Sequence, residues 1–591
     1  MNIGSKLWRV TILKTITEVL TNIVSNAFDQ CGYDRHLGKV KLSNRPDLCQ
    51  YQVDGAFSGA KIYKVSPMII ANAVLNILKK NKIFSSVTVA NPGFINLSLS
   101  DMFLVDFVND MFYDNDLGIP QIGLNQTIVI DYGGPNVAKP LHIGHLRSAI
   151  IGEAIKRIAR ATGYKVVGDI HLGDWGMPIG LIIAELEERI NELSWNDIKQ
   201  KISIDTLNEV YPLASKKSKE DPAFKKKAQK IVHKLQNGHD EYISIWKRIV
   251  QVSVSDLKQI YKKLNVEFDL WNGESDSEKY IPQLIDILNE KKLLYKNLGA
   301  LVVDVTELDD TEPIPPIIIK KSDDSNLYST TDLATIIQRQ KEITPNKYWY
   351  VVDNRQSLHF KQVFRCAKKA ELVSKDTEFE FLGFGTMNGK DGKPYKTRDG
   401  GVMKLDDLLK IAKYEALVKS QTSHYVVPDE KQRNENAEKV SIAAIKFGDL
   451  INNRSKNYIF NLEKFLATDG KTGSYLLYTI SRINSIQKKA NINFEKYKLT
   501  SFYSNDERQI LLNIVSIGDV FKTAILEKSP HYICESAYQI ALSFSKFYNS
   551  TKILSEKSEY KRNSWIALIF IVRTFLLKHL NVLGIEPVDH M

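Results

Sequence analysis

Two histidines separated by two residues give the sharpest chemical signal in the chain. His142, Gly144 and His145 lie in PNVAKPLHIGHLRS, residues 135–148, between a predicted strand and a predicted helix. With Pro140 in the first helical turn, both imidazoles face the same side of that turn. The amides and positive end of a helix bind phosphate, and imidazoles can add hydrogen bonds to its oxygens. The segment therefore predicts a nucleotide phosphate site, where Gly144 lets a base or ribose approach the backbone.

Two simpler interpretations of this segment stay open. The histidines form an HxxH metal pair, or they only cap the helix. No third cluster of metal ligands accompanies them in the sequence, and the strand–loop–helix setting favours a nucleotide.

The surrounding elements predict a parallel sheet. TIVIDY (127–132) reads as a buried strand, LRSAIIGEAIKRIARATGY as a helix, and YKVVGDIHLGD as the next strand and its loop. This order is a βαβ unit, whose ligands bind at the carboxyl ends of the strands. His171, Asp174 and Trp175 follow the second strand, so we expect them near the ligand, although Trp175 fits a core position equally well.

Further motifs extend over residues 125–591 in a fixed order. They are DYGGPNVAKPLHIGHLRSAIIGEA, IHLGDWGMPIG (170–180), GES (273–275), YSTTDLATI (328–336), VVDNRQSLHF (351–360), GKPYKTRDGGVMKLDDLL (392–409) and FGDLINNRSKNYIFNLEKFLATDGKTGSYLLYTISRI (447–483). HIGH after a first strand is the signature of class I aminoacyl-tRNA synthetases, although pantothenate synthetases and other nucleotidylyl transferases share it. The ordered set resembles one class I family, the arginyl-tRNA synthetases.

An arginine pocket needs carboxylates within hydrogen-bonding distance of a planar guanidinium. Asp332 is the carboxylate that we expect there, and Tyr328, four residues earlier, shares its helix face and can stack on the guanidinium. Without the flanking motifs, an ordinary amphipathic helix start would explain this pair. The resemblance implies further arginine contacts from Asp131, Asn136, Glu274 and Gln356. It implies ATP contacts from His142, His145, His171, Gly173 and Asp174, whereas His359 faces ATP or is a satisfied loop histidine.

A glycine-rich loop with several cations spans residues 385–401. Its GxxxGK is one residue shorter than a Walker A loop, precedes Asp and follows a late strand, which excludes a P-loop. A mobile clamp on pyrophosphate fits better. By resemblance the loop is a degenerate KMSKS motif, with YKTR where MSKS would stand, so its second lysine is ambiguous.

Several cations compete for the role of that lysine. Lys393, Lys396 and Arg398 are the ATP-binding candidates of the loop, and Lys396 is also a catalytic candidate. In the family, a lysine at the position of Lys139 is thought to replace the missing one. A solvated loop lysine is the alternative for Lys139.

The carboxyl-terminal part combines aromatic and basic residues on predicted helices. Aromatic rings can stack on unpaired bases while cations hold phosphates, although such a stripe is more often core. By resemblance this part is an anticodon-binding domain. Its candidate tRNA contacts are Tyr475, Tyr478, Arg482 and Met591.

Composition limits the class of protein. The net charge of +11 suits contact with a polyanion over part of the surface. Four scattered cysteines argue against a disulfide framework and a structural metal site. No signal peptide is visible, and the apolar run WIALIFIV is shorter than the roughly twenty residues of a membrane helix. We expect a cytoplasmic monomer.

The chain is too long for one hydrophobic core. We expect an α/β protein with a Rossmann-like parallel sheet at residues 119–404, interrupted by a helical insertion at about 185–298. A small α+β domain at 1–118 stands where the family carries its additional tRNA-elbow domain, and an all-α anticodon-binding domain covers 405–591. Strand patterns after the insertion, at ALVVDVT, PPIIIKK, YWYVVD and FEFLGFG, predict that the sheet resumes.

These features together predict an arginine–tRNA ligase that uses ATP with Mg²⁺ and has tRNA(Arg) and L-arginine as its other substrates. The alternatives are a class I ligase or nucleotidylyl transferase for another substrate, and a catalytically silent RNA-binding paralogue. Asp332 and Tyr328 argue against the first, and the intact HIGH segment argues against the second.

Overall fold

An antiparallel sheet with helices forms the amino-terminal part of the chain. The computed structural model describes residues 14–189, 195–322, 325–393, 395, 403–421, 429–490, 493 and 496–591. The elements are α1 (Ile16–Gln30), β1 (Val40–Leu42), β2 (Tyr51–Val53), α2 (Gly55–Tyr63), α3 (Pro67–Leu78), β3 (Phe84–Ala90), β4 (Phe94–Leu99) and α4 (Asp101–Tyr113). The strand order is β1-β2-β4-β3. The apolar residues of α1 recur every four positions and are buried, so this face packs into the core. The predicted α+β domain is confirmed.

A parallel four-stranded sheet follows, as predicted. Its first half consists of β5 (Thr127–Tyr132), α5 (Ile143–Ala161) and β6 (Lys165–Asp169). The insertion contains α6 (Met177–Arg189), α7 (Trp195–Lys201), α8 (Ile204–Glu220), α9 (Pro222–Gln236), α10 (Asp240–Lys263), α11 (Glu274–Ser277) and α12 (Ile281–Glu290). The chain continues with β7 (Leu294–Asn297), β8 (Ala300–Val303), β9 (Ile317–Lys320), α13 (Tyr328–Glu342), β10 (Lys347–Val351), α14 (Ser357–Lys369), β11 (Glu378–Phe381) and β12 (Met387–Asn388). The order β11-β10-β5-β6 places β5 in the centre of the sheet.

The prediction that ALVVDVT and PPIIIKK resume the parallel sheet is wrong. These segments form β8 and β9, which pair antiparallel with each other and with β7 in a separate sheet. Leu298 and Gly299 join β7 to β8 with φ values of 47° and 82°. A two-residue turn with positive φ at both positions connects antiparallel strands only, since parallel strands need a long crossover.

Helices dominate the carboxyl-terminal part. They are α15 (Leu405–Gln421), α16 (Glu430–Leu450), α17 (Leu462–Phe465), α18 (Gly473–Ala490), α19 (Asn505–Val515), α20 (Ile517–Leu526), α21 (His531–Ser550) and α22 (Glu559–Val582). The expectation of an entirely helical part is wrong at one place, because Tyr458–Ile459 forms a short strand, β13, that pairs with β12. The glycine-rich loop thus starts from a strand held by the carboxyl-terminal part.

The apolar run WIALIFIV lies within α22, which is 24 residues long. Two helical stretches, Asn505–Leu526 and Glu559–Val582, are long and apolar enough to cross a membrane by length and composition. Their most apolar windows are 50% and 67% buried inside the protein, as expected of core helices. They are weak evidence for a membrane span.

Lys446 of α16 joins three parts of the chain. Its ammonium, fully buried, donates hydrogen bonds of 2.7 Å to the carbonyl oxygens of Leu264 and Gly584. These two carbonyls lie at the carboxyl-terminal ends of α10 and α22, where helix carbonyls lack partners within the helix. Burial lowers the pKa of Lys446 to about 7. One side chain thus holds the insertion against two carboxyl-terminal helices.

Replacement of this lysine by methionine tests that role. Lys446→Met keeps the length of the side chain and leaves both carbonyls without their donor, so the free energy of unfolding should fall by about 2–4 kcal/mol. Scanning calorimetry measures the change. Lys431→Met, at an exposed lysine in the first turn of the same helix, is the matched control and should unfold like the parent. Equal midpoints for both variants would contradict the role of Lys446.

Candidate active site

The reciprocal capping of α5 brings the two HIGH histidines together. His142 is the N-cap residue, and its Nδ1 accepts a hydrogen bond of 3.0 Å from the amide of Gly144. The Nδ1 of His145 accepts one of 3.1 Å from the amide of His142. The ring centroids are 3.9 Å apart. Pro140 precedes the N-cap, so the expectation that it lies in the first helical turn is wrong.

This capping determines where each imidazole carries its proton. Because each Nδ1 accepts a hydrogen bond, the neutral ring must carry its hydrogen on Nε2. Burial, with the charges of His142 and Lys139, lowers the pKa of His145 to about 3. Burial and Lys139 also lower the pKa of His142. The pair therefore presents neutral Nε2–H donors, so capping and phosphate binding are compatible.

Gly144 serves the histidines directly. A Cβ at this position would lie 2.8 Å from Cε1 and 2.9 Å from Nδ1 of His142. The missing side chain therefore makes space for the imidazole of the same motif, in addition to any space for a nucleotide.

Lys139 follows a loop segment that two other parts of the chain anchor. Asn136 pairs with Gly173 in the loop after β6, and the amide of Ala138 donates a 3.0 Å hydrogen bond to the buried Ser253 of α10. Ala138 has a φ of 61°, a strained value for alanine. The Lys139 ammonium lies 4.9 Å from the centroid of the Tyr211 ring on α8.

A buried arginine that sequence reasoning missed holds the strand ends. The Arg339 guanidinium donates to Asp131 at 2.6 Å and to Asp169 at 2.7 Å, at the carboxyl ends of β5 and β6. Asp131, expected to line the arginine pocket, is thus paired inside the protein, and burial raises its pKa despite Arg339. The sequence spacing carried a signal for this role of Arg339. It follows Asp332 by seven residues and therefore lies on the same face of α13.

Asp332 lies between two histidines. His359 Nε2 is 2.6 Å from Asp332 Oδ2, and His171 Nε2 is 3.8 Å from Asp332 Oδ1. The exposed Tyr328 has its ring centroid 4.7 Å from that of His359. The structure therefore brings His171 and His359, expected beside ATP, to the carboxylate expected to bind arginine.

Glu274 completes an acidic side of the site. Burial, together with the neighbouring carboxylates of Asp332 and Asp174, raises its pKa to about 7 against the opposing effect of His171. Both oxygens of Asp174 accept hydrogen bonds from Ser275, at 3.0 Å from the amide and 2.6 Å from the hydroxyl. Asp174 thus holds the segment that carries Glu274, and its contact with ATP stays a prediction.

The remaining candidates differ in how the structure places them. Trp175 packs edge-on against Trp246, with centroids 5.0 Å apart, and Gln356 is exposed in the turn before α14. Lys393 is exposed in the middle of the glycine-rich loop. Lys396 and Arg398 lie outside the described residues.

Three of the four candidate tRNA contacts lie on α18. The Tyr475 hydroxyl bonds to Ser545 at 2.8 Å inside the helical bundle. Arg482 lies over the ring of the partly exposed Tyr478 at 4.7 Å and donates to its hydroxyl. The amide of Met591 donates to Ser481 on the same helix, so the last residue lies beside this group.

Three family profiles match successive parts of the chain. "Arginyl tRNA synthetase N terminal domain" matches residues 12–99. "tRNA synthetases class I (R), catalytic domain" matches residues 108–462, and "DALR anticodon binding domain" matches residues 476–591.

Curated relatives match over nearly the full length. The arginine–tRNA ligase of Alkaliphilus oremlandii is 46% identical over 589 residues, which cover 98% of this chain and 100% of that protein. The arginine–tRNA ligase of Agathobacter rectalis is 44% identical with the same coverage.

Solved structures share the fold. The arginyl-tRNA synthetase from Plasmodium falciparum superposes with a TM-score of 0.81 at 24% identity, covering 98% of this chain and 100% of that chain. The arginyl-tRNA synthetase from Thermus thermophilus gives a TM-score of 0.78 at 20% identity, with the same coverage.

Substitution of Gly144 tests the geometry of the histidine pair. In Gly144→Ala the new methyl group displaces the His142 ring, so nucleotide turnover should fall by about 10²-fold. Alanine favours the helix, which offsets a weakened cap, so the unfolding free energy should change by less than about 1 kcal/mol. Activity and the thermal midpoint are measured together. Turnover at the parent's rate would contradict the geometry.

Proposed function

The chain belongs to the arginyl-tRNA synthetases, as its motifs predicted, and we propose how its residues share the ATP-dependent ligation of arginine to tRNA. In this reaction the arginine carboxylate attacks the α-phosphate of ATP and releases pyrophosphate. The 3′-terminal ribose of the tRNA then takes the arginyl group from the adenylate. Because phosphorus carries the bond changes, the protein acts mainly by positioning the reactants and stabilising phosphate charge.

The reciprocal hydrogen bonds of His142 and His145 carry the proposal. They direct two neutral Nε2–H groups outward from the amino-terminal end of α5. Neutral donors bind phosphate oxygens without the reorganisation that a mobile charged group needs. The dipole of α5 adds positive potential at the same place. We therefore assign the two histidines to the ATP phosphates, with Gly144 as the residue that makes room for them.

Lys139 supplies the cation of the phosphate site. Its charge already acts on both imidazoles, since it contributes to their lowered pKa values. Pyrophosphate departs with growing negative charge, and an ammonium at this place stabilises the transition state more than the bound substrates. Lys393, Lys396 and Arg398 are the cations that the glycine-rich loop can add, with Gly173 bordering the site.

Asp332 receives the arginine guanidinium in this proposal. Tyr328 stacks on the guanidinium or bonds to it, and Glu274 is the second acid. Asn136 and Gln356 hold the α-amino and carboxylate groups. Neutral isosteres of arginine would leave buried carboxylates unpaired and are rejected strongly, so a separate editing site is unnecessary.

Magnesium arrives with ATP in this proposal. Among the described residues, no group of three or more His, Cys, Asp and Glu side chains is arranged to hold a metal ion. The phosphates of ATP are themselves good oxygen ligands for Mg²⁺.

The terminal domains hold tRNA(Arg). We assign the anticodon to the surface of α18 around Tyr478 and Arg482, where an exposed ring and a guanidinium lie together. Tyr475 and Met591 support this surface through their contacts with Ser545 and Ser481. We assign the body of the tRNA to the amino-terminal domain. We propose that the protein acts as a monomer, and its substrates are those of cytoplasmic translation.

Asp332→Asn tests the arginine pocket. The substitution keeps the volume and removes a charge that contributes about 1.5–3 kcal/mol through its hydrogen bonds. The arginine KM should rise about tenfold or more, and the ATP KM should change little. Steady-state aminoacylation measures both constants. Glu342→Gln, at the other end of α13, is the control and should behave like the parent, whereas an unchanged arginine KM in Asp332→Asn would refute the assignment.

Lys139→Ala tests the phosphate cation. The kcat of arginine activation should fall by about 10²–10³, and the arginine KM should change little, because the contact strengthens in the transition state. Pyrophosphate exchange into ATP, measured with tRNA present, gives both values. Lys216→Ala, an exposed lysine of α8, is the control. A Lys139→Ala enzyme within about threefold of the parent would shift the role to Lys393 or Lys396.

A further inference from the structure

The two carboxylate oxygens of Asp332 face different imidazoles. His359 Nε2 lies 2.6 Å from Oδ2, and His171 Nε2 lies 3.8 Å from Oδ1. All three side chains are between 12% and 16% exposed. The contact with His359 is a hydrogen bond, whereas the distance to His171 is too long for one. His359 is therefore the imidazole that binds this carboxylate directly.

The hydrogen bond between His359 and Asp332 leaves room for a guanidinium. A carboxylate oxygen accepts hydrogen bonds and an imidazole N–H donates them, so we assign the hydrogen to Nε2 of His359. The two oxygens of a carboxylate offer about four acceptor sites, and one imidazole uses one of them. The planar fork of a guanidinium can bind to the same carboxylate at the same time.

The helix that carries Asp332 does not by itself fix the plane of the carboxylate. Arg339, two turns further along α13, locks this helix to the ends of β5 and β6. The side chain of Asp332 nevertheless keeps two torsion angles that the helix backbone leaves open. A bidentate pairing with a guanidinium depends on the plane of the carboxylate, and so on both angles. The donor from His359, on a second helix, holds this plane.

The His359 ring has a defined place on α14. The neighbouring Phe360 is buried and packs on Tyr350 of β10, with ring centroids 4.7 Å apart. The His359 ring itself meets the rings of Tyr328 and Phe360, at centroid distances of 4.7 Å and 5.0 Å. The donor thus comes from a packed part of the fold, as pre-organised binding requires.

His171 borders the other oxygen of Asp332 from a strained position. Its φ is 42°, in the left-handed region that few residues other than glycine adopt. Its buried Nδ1 has no hydrogen-bond partner in the described part of the chain. The backbone beside it is held, because the amide of Leu172 donates a 2.8 Å hydrogen bond to the carbonyl of Asn272. His171 therefore limits rotation of the carboxylate away from His359.

We propose that His359 is a positioning residue for arginine, whose Nε2–H holds the Asp332 carboxylate in the plane that the guanidinium needs. The proposal rests on the assignment of Asp332 to the guanidinium. Without this donor the carboxylate rotates more freely, and binding of arginine must then supply its ordering. The loss falls on arginine and not on ATP, whose phosphates we assign to the amino-terminal end of α5.

Two substitutions at this position separate the hydrogen-bond donor from the ring. His359→Gln keeps a side-chain N–H near the place of Nε2 and loses the ring. His359→Phe keeps a ring against Tyr328 and Phe360 and loses the donor. We expect His359→Phe to raise the arginine KM about tenfold, the effect of one hydrogen bond to a charged group. His359→Gln should stay within about threefold of the parent, and the ATP KM should change little in both variants.

Steady-state aminoacylation at one fixed pH gives the KM values for arginine and ATP together with kcat, and thermal unfolding checks the fold of each variant. His233→Phe, at an exposed histidine of α9, is the matched control and should behave like the parent. In the Asp332→Asn background, His359→Phe should raise the arginine KM by less than about twofold, because the charge that His359 positions has been removed.

The outcomes separate this proposal from the one on which it rests. An arginine KM in His359→Phe that equals or falls below the parent's would overturn it. The reverse order, with His359→Gln impaired and His359→Phe normal, would also overturn it, since packing of the ring on Tyr328 would then be what matters. So would a raised ATP KM with an unchanged arginine KM. If Asp332→Asn itself leaves the arginine KM unchanged, the pocket assignment fails instead.

Discussion

A single buried guanidinium organises the catalytic half of the molecule. Arg339 binds Asp131 and Asp169 at the ends of two adjacent strands, and it belongs to α13, the helix that presents Tyr328 and Asp332. Buried carboxylates without a partner would repel one another and would favour protonation. The pairing therefore locks α13 to the strand ends, and the position of Asp332, which we assign to arginine, depends on it.

A second buried arginine has the same effect on the phosphate side. Arg147 of α5 bonds to Asp449 at 2.9 Å and donates to backbone carbonyls that include Gly385, just before β12. Asp449 also accepts a hydrogen bond from Tyr458 on β13. The helix of the HIGH histidines, the start of the glycine-rich loop and the carboxyl-terminal part are thus fixed to one another. Truncation of either buried partner would leave an uncompensated charge.

The two sides of the site differ in their electrostatics. In the proposed function, neutral imidazoles and the end of α5 receive phosphate, and the lowered pKa values of His142 and His145 keep these donors neutral. In the same proposal, carboxylates receive the guanidinium. Burial and a cation oppose protonation of His142 and His145, whereas His171 and His359 lie against the Asp332 carboxylate.

Local order in the sequence determined the family, the parallel βαβ unit and the identity of the HIGH residues. Strand, loop and helix signals and capping residues act over only a few positions.

The tertiary structure decided which distant groups meet. Arg339 and Asp131 are 208 residues apart in the chain, and no local pattern indicates their pairing. The same holds for His359 and Asp332 on two helices: a histidine expected near ATP lies beside the carboxylate that we assign to arginine. The turn at Leu298 and Gly299, where a leucine takes a positive φ, redirected β8 because the turn geometry overrode the apolar strand pattern. Burial and charge pairing depend on three-dimensional packing, and so the protonation states of the site followed only from the fold.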